Sequence, residues 1–424
     1  MNTSRRNFVL AAGACLSVPL LRNSIVNGKD TPSKKITMGF IGVGSHGTGV
    51  NLPNFLSIPE VRVISVCDAI IERSLKAKQK VDTAYGNTDC RIVPDFRQIL
   101  EDRSIDAVCI STPEHWHVTM ATMALQAGKD VFCEKPTKYI SEGFALQECF
   151  NKHKAVFQTG LEDRSCSRFH KIVEWCRNGA LGDVEKVDIL VPRFKTLPPP
   201  KKDVPVPEGL DYNLFSGPSP LVPFQTEYIQ PMAWRTVRNF GAGSLLDWGA
   251  HLFDTAQLCV NAPEILPTEI SGQGLIPTNS ITDVPVEFDV DVTYSNGVNV
   301  NIKHGGCSIK VYGSKGWIHQ SGWDGPLTAS DISILRNKYE LGTSKYQQMP
   351  KSEHVNFIEC VKSREKTTYP VDSMHSIHLG LHAADISIRL GRKVKWDSKA
   401  NQFIGDLEAN KLATAPEPRS WQNA

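Results

Sequence analysis

Ile36-Thr37-Met38-Gly39-Phe40-Ile41-Gly42-Val43-Gly44-Ser45-His46-Gly47 decides the fold of this chain. A short apolar run meets glycines at three fixed positions, the pattern of a strand that turns sharply into a helix. Gly42 permits the tight turn, and Gly44 lets backbone approach a pyrophosphate. Gly47 lets the following helix sit close to the strand. Ser45 and His46 belong to the same turn, and the helix it opens aims its first amides at phosphate. About twenty residues past the last glycine, the run Val61-Arg62-Val63-Ile64-Ser65-Val66-Cys67 ends in Asp68. A carboxylate there accepts hydrogen bonds from a ribose 2′-hydroxyl and repels a 2′-phosphate, so NAD is the expected cofactor. The competing reading of Asp68 is a helix N-cap.

Further strand–helix units follow. Ala107-Val108-Cys109-Ile110 reads as a buried strand ending in Ser111-Thr112-Pro113, with a helix from about Trp116 to Gln126. Asp130-Val131-Phe132-Cys133 is the next strand, ending in Glu134-Lys135-Pro136. Strands alternating with amphipathic helices predict an α/β fold with a doubly wound parallel sheet, whose ligands lie beyond the strands' C-terminal ends. Ser111, Thr112, Pro113, His117, Glu134 and Lys135 lie at that edge and are candidate cofactor contacts. His115 and His117 lack an accompanying cysteine or acid cluster at ligand spacing, so no metal site is expected.

Lys135 precedes proline, which biases its backbone to an extended conformation at the strand end. An ammonium there can hydrogen-bond an alcohol and stabilise its oxygen as negative charge develops. Later in the chain, Asp247, His251 and Asp254 fall at i, i+4 and i+7, one stripe of a helix opened by glycines. A histidine titrating near neutrality suits removal of a hydroxyl proton. Asp247, one turn earlier, can orient the imidazole or bind a sugar hydroxyl. Gln158 and Arg164 are weaker candidates for the nicotinamide ribose or the substrate. Arg235 is a candidate clamp for ribose or sugar hydroxyls, with Trp234 beside it. Structural salt bridges compete with each of these readings. His304, His319 and His354 have no assigned place, and His375 and His378 read as surface or packing residues.

Glu134-Lys135-Pro136 behind the glycine turn, then Trp234-Arg235 and Gly241-Ala242-Gly243-Ser244-Leu245-Leu246-Asp247-Trp248-Gly249-Ala250-His251, resemble the two signatures of the glucose–fructose oxidoreductase / inositol dehydrogenase / MocA family. The resemblance covers nearly all the chain after residue 34. It implies a Rossmann domain followed by an α+β domain with a large, open, mostly antiparallel sheet that often mediates homo-oligomerisation. It also implies that Lys135 is catalytic, often across a cis bond to the proline, and that Asp247 and His251 bind substrate or take part in catalysis.

Beyond the first domain, Leu197 to Pro207 is proline-rich and reads as a stiff exposed loop. Phe288-Asp289-Val290-Asp291-Val292-Thr293-Tyr294, Ser295-Asn296-Gly297 and Val298-Asn299-Val300-Asn301-Ile302 read as a hairpin. The expected organisation is an export signal and linker over 1–33, an NAD-binding domain over 34–157, a substrate-binding and oligomerisation domain over 158–390, and an extended tail over 391–424.

Near the start of the sequence stands Ser4-Arg5-Arg6-Asn7-Phe8-Val9-Leu10, a twin-arginine export pattern. The apolar stretch behind it is broken by Gly13 and Pro19 and is too short for a stable span, and Cys15 only faintly resembles a lipidation box. Periplasmic or otherwise exported localisation is the expectation. A net charge of +2 with interspersed signs gives no nucleic-acid stripe. The 11 cysteines, odd in number and scattered through apolar runs, read as reduced core residues. The leading expectation is an exported NAD-dependent oxidoreductase acting on a secondary hydroxyl of a sugar, glycoside or polyol, with tightly held, internally recycled cofactor. The alternatives are a redox-neutral NAD-dependent glycosidase and a non-catalytic sugar-binding protein.

Overall fold

A computed structural model describes residues 35–261, 266–340 and 342–421. The twin arginines and Cys15 lie outside them. The opening segment folds as β1 (Ile36–Ile41), a turn at Gly42, and a helix that begins as wide i→i+5 turns over Gly47–Asn51 before continuing as α-helix Leu52–Leu56. Wide turns of this kind are frequent at functional sites.

β1 is central to a six-stranded sheet with β2 (Val61–Cys67), β3 (Arg91–Ile92), β4 (Ala107–Ile110), β5 (Asp130–Glu134) and β6 (Phe157–Gly160), in the order β3-β2-β1-β4-β5-β6. Every pairing in it is parallel. β4, β5 and β6 are buried along their whole length, as strands covered on both faces must be. One face packs Phe55, Ala77 and Val81 against Phe357 and Ile358 of the helix Glu353–Ser363. The other packs Ile99, Leu125 and Leu146 with Met374 and Trp421.

The second sheet has nine strands. In addition to β7 (Val184–Pro192), β8 (Pro267–Leu275), β9 (Glu287–Tyr294) and β10 (Asn299–Gly305), it contains β11 (Ser308–Gly313), β12 (Gly316–Ser321), β13 (Leu327–Ala329), β14 (Val394–Asp397) and β15 (Gln402–Phe403). Their order is β13-β12-β11-β7-β10-β9-β8-β14-β15, with β7 and β10 parallel and the other neighbours antiparallel. The expected hairpin is β9–β10, turning at Gly297 (φ 85°). Phe288, Val290, Val292 and Tyr294 face inward, and Asp289 and Asp291 face out. The inner face packs against the helices Ser167–Arg177, Ser244–Cys259 and Val371–Leu390.

Several expectations change. The last strand of the first sheet is offset from Ala155–Phe157 and runs through Gln158 to Gly160, so a cut after residue 157 divides a strand. The tail is not simply extended. Val394, Trp396 and Phe403 are buried apolar residues that carry β14 and β15 onto the sheet edge, and a helix, Leu407–Ala413, follows. Only then does the chain run without regular structure to Trp421, whose ring packs edge-on to Trp116 at 4.6 Å. Of the two readings of His375 and His378, surface or packing, packing holds, since both are buried. His304 pairs with the Phe288 backbone, and His319 lies on the half-exposed side of β12. No helix among the described residues is long and apolar enough to cross a membrane.

Candidate active site

A cleft of about 370 Å³ opens beyond the C-terminal ends of β1, β2, β4 and β5. Gly42 sits at φ +80°, and a Cβ there would lie 2.6 Å from Thr112 N. A Cβ on Gly47 would collide with the Gly42 carbonyl oxygen. Any side chain at either place would distort the turn that the strand end must make. The Asp68 carboxylate accepts from the Val43 and Ile70 amides, both at 2.9 Å, which ties the end of β2 to the glycine loop. Burial pushes its carboxyl above the usual range, against the pull of Arg73 and the two amides.

The cleft is lined by Gly42, Gly44, Ser45, His46 and Asp68, by Ser111, Thr112, Pro113 and His117, and by Glu134 and Lys135. Trp234, Arg235, Asp247, Trp248 and His251 line it from the later half of the chain. A glycine cradle, a carboxylate at the end of β2 and a cleft of small-molecule size are what a dinucleotide requires. His117 sits deeper, its ring bonded to the Pro136 and Thr112 carbonyls at 2.9 Å each.

Glu134 closes β5 as an anchor. Its Oε1 meets His46 Nε2 at 3.0 Å and Asn51 Nδ2 at 2.8 Å. Asn51 in turn reaches Ser111 Oγ at 2.7 Å and His354 Nε2 at 2.8 Å. Burial raises the Glu134 carboxyl, but His46, Asn51 and Lys135 outweigh it and hold the group at about 2.

Lys135, whose bond to Pro136 is cis, points across to the helix Ser244–Cys259. Its Nζ donates to Asp247 Oδ1 at 2.6 Å and to the Asp247 carbonyl at 2.9 Å. Arg235 Nε lies 3.1 Å from the other Asp247 oxygen, and its guanidinium stacks on Trp234 at 4.4 Å. Burial alone would raise the Asp247 carboxyl; Lys135 and Arg235 prevail and hold it far below the usual range.

His251 turns away from Asp247. Its Nδ1 lies 2.9 Å from Asp163 Oδ2 and 3.8 Å from Glu162 Oε2, and Trp323 meets the ring edge-on at 5.1 Å. Burial and Lys135 lower the imidazole, yet Asp163 and Glu162 outweigh them, so its pKa lies above the ordinary 6.5. Glu162, Asp163 and His251 are the donor types of a metal site, with donor atoms within 4.8 Å of one another. The His251–Asp163 hydrogen bond already occupies two of those donors.

Two expected residues stand apart from the cleft. Gln158 is fully buried in β6, its Nε2 donating to Thr159 O at 3.0 Å. Arg164 is held in a buried pair with Asp254, at 3.1 and 2.7 Å, and lies over the Tyr369 ring at 3.8 Å. Asp254 therefore belongs to a structural pair, not to the site. Sequence reading missed Glu162, Asp163, Asn51 and Trp323. The position of Glu162 and Asp163 just past β6, at the edge where ligands gather, was the available signal. Trp323, from a loop after β12, carried none.

The profile of the oxidoreductase family's NAD-binding Rossmann fold (GFO_IDH_MocA) matches residues 36–161, and that of its C-terminal alpha/beta domain matches residues 199–423. The chain belongs to the Gfo/Idh/MocA family. As a Gfo/Idh/MocA protein it carries an NAD-binding Rossmann domain and is an oxidoreductase. It is 23% identical over 350 residues to the uncharacterized oxidoreductase YrbE of Bacillus subtilis, spanning 79% of this chain and 89% of that one. It is 28% identical over 174 residues to an alpha-N-acetylgalactosaminidase of Shewanella oneidensis, spanning 35% of this chain and 36% of that protein. The aldose-aldose oxidoreductase of Caulobacter crescentus, solved with glycerol, shares the fold with a TM-score of 0.61 at 18% identity, covering 85% of this chain and 99% of that one.

Asp68→Ala is expected to lower the ratio of NADH to NADPH affinity about tenfold, the worth of a hydrogen bond to a charged group. The substitution also frees two loop amides, so both affinities fall and the ratio is the quantity to read in fluorescence titrations. An unchanged ratio would remove Asp68 from the ribose.

Proposed function

We propose that this Gfo/Idh/MocA protein oxidises a secondary hydroxyl of a sugar, glycoside or polyol, retaining its NAD between half-reactions. The observation that carries the reading is that Lys135 and His251, each on its own carboxylate, line the same cleft as the glycine turn and Asp68. When bound, NAD supplies the hydride acceptor. Lys135 donates to the substrate oxygen, Asp247 and Arg235 hold that ammonium in place, and His251 manages the hydroxyl proton.

Retention is supported by the segment from Gly209 to Thr236. The Ile71 amide donates to Gly209 O at 3.0 Å, the Asp211 amide to Ala69 O at 2.9 Å, and Arg73 to Ile229 O at 2.6 Å. Those ties join the segment to the residues just after Asp68, and its Leu214, Phe215, Gln230, Pro231 and Met232 help line the cleft. Export before use is supported by Arg5-Arg6. Self-association is proposed for the outward face of the second sheet, a polar surface carrying Lys303–Asp289 and Lys186–Asp188 pairs.

A second reading, redox-neutral glycoside cleavage, is favoured by the likeness to the Shewanella alpha-N-acetylgalactosaminidase. Oxidation of a hydroxyl two carbons from the one bearing the departing group acidifies the C–H between them, so that group can be eliminated, water added in its place and the ketone re-reduced with no net change in the cofactor.

Purified protein is expected to release nicotinamide on denaturation, and sugars added to it to generate bound NADH. Aryl-glycoside cleavage without net reduction would promote the second reading. Protein that neither carries nor binds NADH would end both. With His251 as base, the oxidation rate should rise with pH to a plateau above the raised His251 pKa, because only the neutral imidazole accepts a proton. Reduction should show the opposite limb. A flat profile through the neutral range would remove His251 from proton transfer.

A further inference from the structure

We propose that Asp163 is the positioning residue that makes His251 the proton acceptor, leaving Lys135 as a fixed donor to the substrate oxygen. The inference rests on the redox reading above and assigns the division of labour within it.

Helical spacing offers Asp247, one turn away, either as the carboxylate that orients His251 or as a partner for a sugar hydroxyl. The geometry assigns Asp247 elsewhere. Both of its oxygens are engaged, one by Lys135 at 2.6 Å and the other by Arg235 at 3.1 Å. Asp163 takes the histidine instead, from the stretch that follows β6. Asp163 is 1% exposed, and its second oxygen makes no hydrogen bond among the described residues, so its one partner is the imidazole. A buried carboxylate is costly unless paired, and this one is kept for a single contact.

A carboxylate only accepts, so the 2.9 Å contact places the proton of neutral His251 on Nδ1. Nε2 is then the lone-pair nitrogen, and His251 lines the cleft that Lys135 also lines. With NAD bound to accept the carbinol hydride, the hydroxyl proton would pass to Nε2. The carbon becomes a carbonyl, and the imidazolium formed is stabilised by Asp163, which takes no proton itself. Lys135, with two hydrogens committed to Asp247, offers its third to the oxygen without giving up its charge. The charged groups facing His251 are Asp163 and Glu162 from beyond β6, Lys135 from the end of β5, and Asp247 on its own helix.

The test uses full-length holoprotein with ¹⁵N-labelled histidine, the His251 signals being those lost in His251→Asn. Long-range ¹H–¹⁵N spectra should show the Nδ1-protonated tautomer and a titration midpoint above 6.5. In Asp163→Asn, an isosteric change, the midpoint should fall by about one unit or more, the usual worth of a neighbouring opposite charge. Asp163→Glu should recover part of that shift, and Glu162→Gln should move it less. An Nε2-protonated ring in the unaltered protein would overturn the proposal and needs no variant to fold. An unchanged midpoint in folded Asp163→Asn would overturn it too. NADH binding, followed separately by fluorescence, tells the two levels apart. Binding with the wrong tautomer sinks only the assignment to Asp163, whereas the expected tautomer without binding removes the redox reading beneath it.

Discussion

Lys135→Met is expected to slow hydride transfer about 10³-fold while the protein still folds and binds NADH. The loss corresponds to removing one preorganised donor from a charge-developing oxygen. Methionine has a similar length and no charge, so the cleft wall persists. Asp247 keeps Arg235 as a partner, which limits the structural cost at a side chain that is 8% exposed. The measurement is a single-turnover reduction of bound cofactor beside an NADH titration. A rate within tenfold of the parent would place Lys135 outside the reaction. Equal loss of binding and rate would make it a structural strut.

Asp254→Asn should give the largest loss of stability, about 3–5 kcal/mol, the cost of leaving a buried charge without its partner. Arg164 lies within the protein between the Asp254 carboxylate, the Thr368 carbonyl at 2.7 Å and the Tyr369 ring. The Tyr369 hydroxyl donates to the same carboxylate. Asparagine offers one neutral oxygen where two charged ones held the guanidinium. A chemical denaturation midpoint reads the loss directly, and NADH affinity measured at low denaturant should be unaltered. A loss below about 1 kcal/mol, the value of an exposed pair, would mean that water reaches Arg164.

The first sheet was legible because its rules are local. Glycines at fixed spacing dictate the turn after β1, and apolar runs ending in Asp68, Ser111 and Glu134 mark successive strand ends at one edge. The Asp247–His251 stripe was legible from helical spacing, which left Asp247 either to orient the imidazole or to bind a sugar hydroxyl; the imidazole's hydrogen bond goes to Asp163. Asp163 was hidden because its contact spans 88 residues of chain and joins the end of one sheet to a helix packed on the other. Gln158 and Arg164 were misjudged for a different reason. The strand at Phe157 runs on to Gly160, which puts Gln158 inside the sheet and carries the loop beyond it to Asp163. The tail was read as extended because its buried residues, Val394, Trp396 and Phe403, fall in short runs among charged ones.

Phe357, Ile358 and Trp421 seal the two faces of a sheet whose own strands end by Gly160. The cofactor-binding half is thus synthesised long before the residues that finish its hydrophobic interior. Without those later residues Phe55 would keep Phe40 and Phe132 but lose Phe357, and Trp116 would keep Phe96 but lose Trp421. Removing the helix Glu353–Ser363 should therefore weaken NADH binding, read by fluorescence, although it takes no residue from the cleft lining.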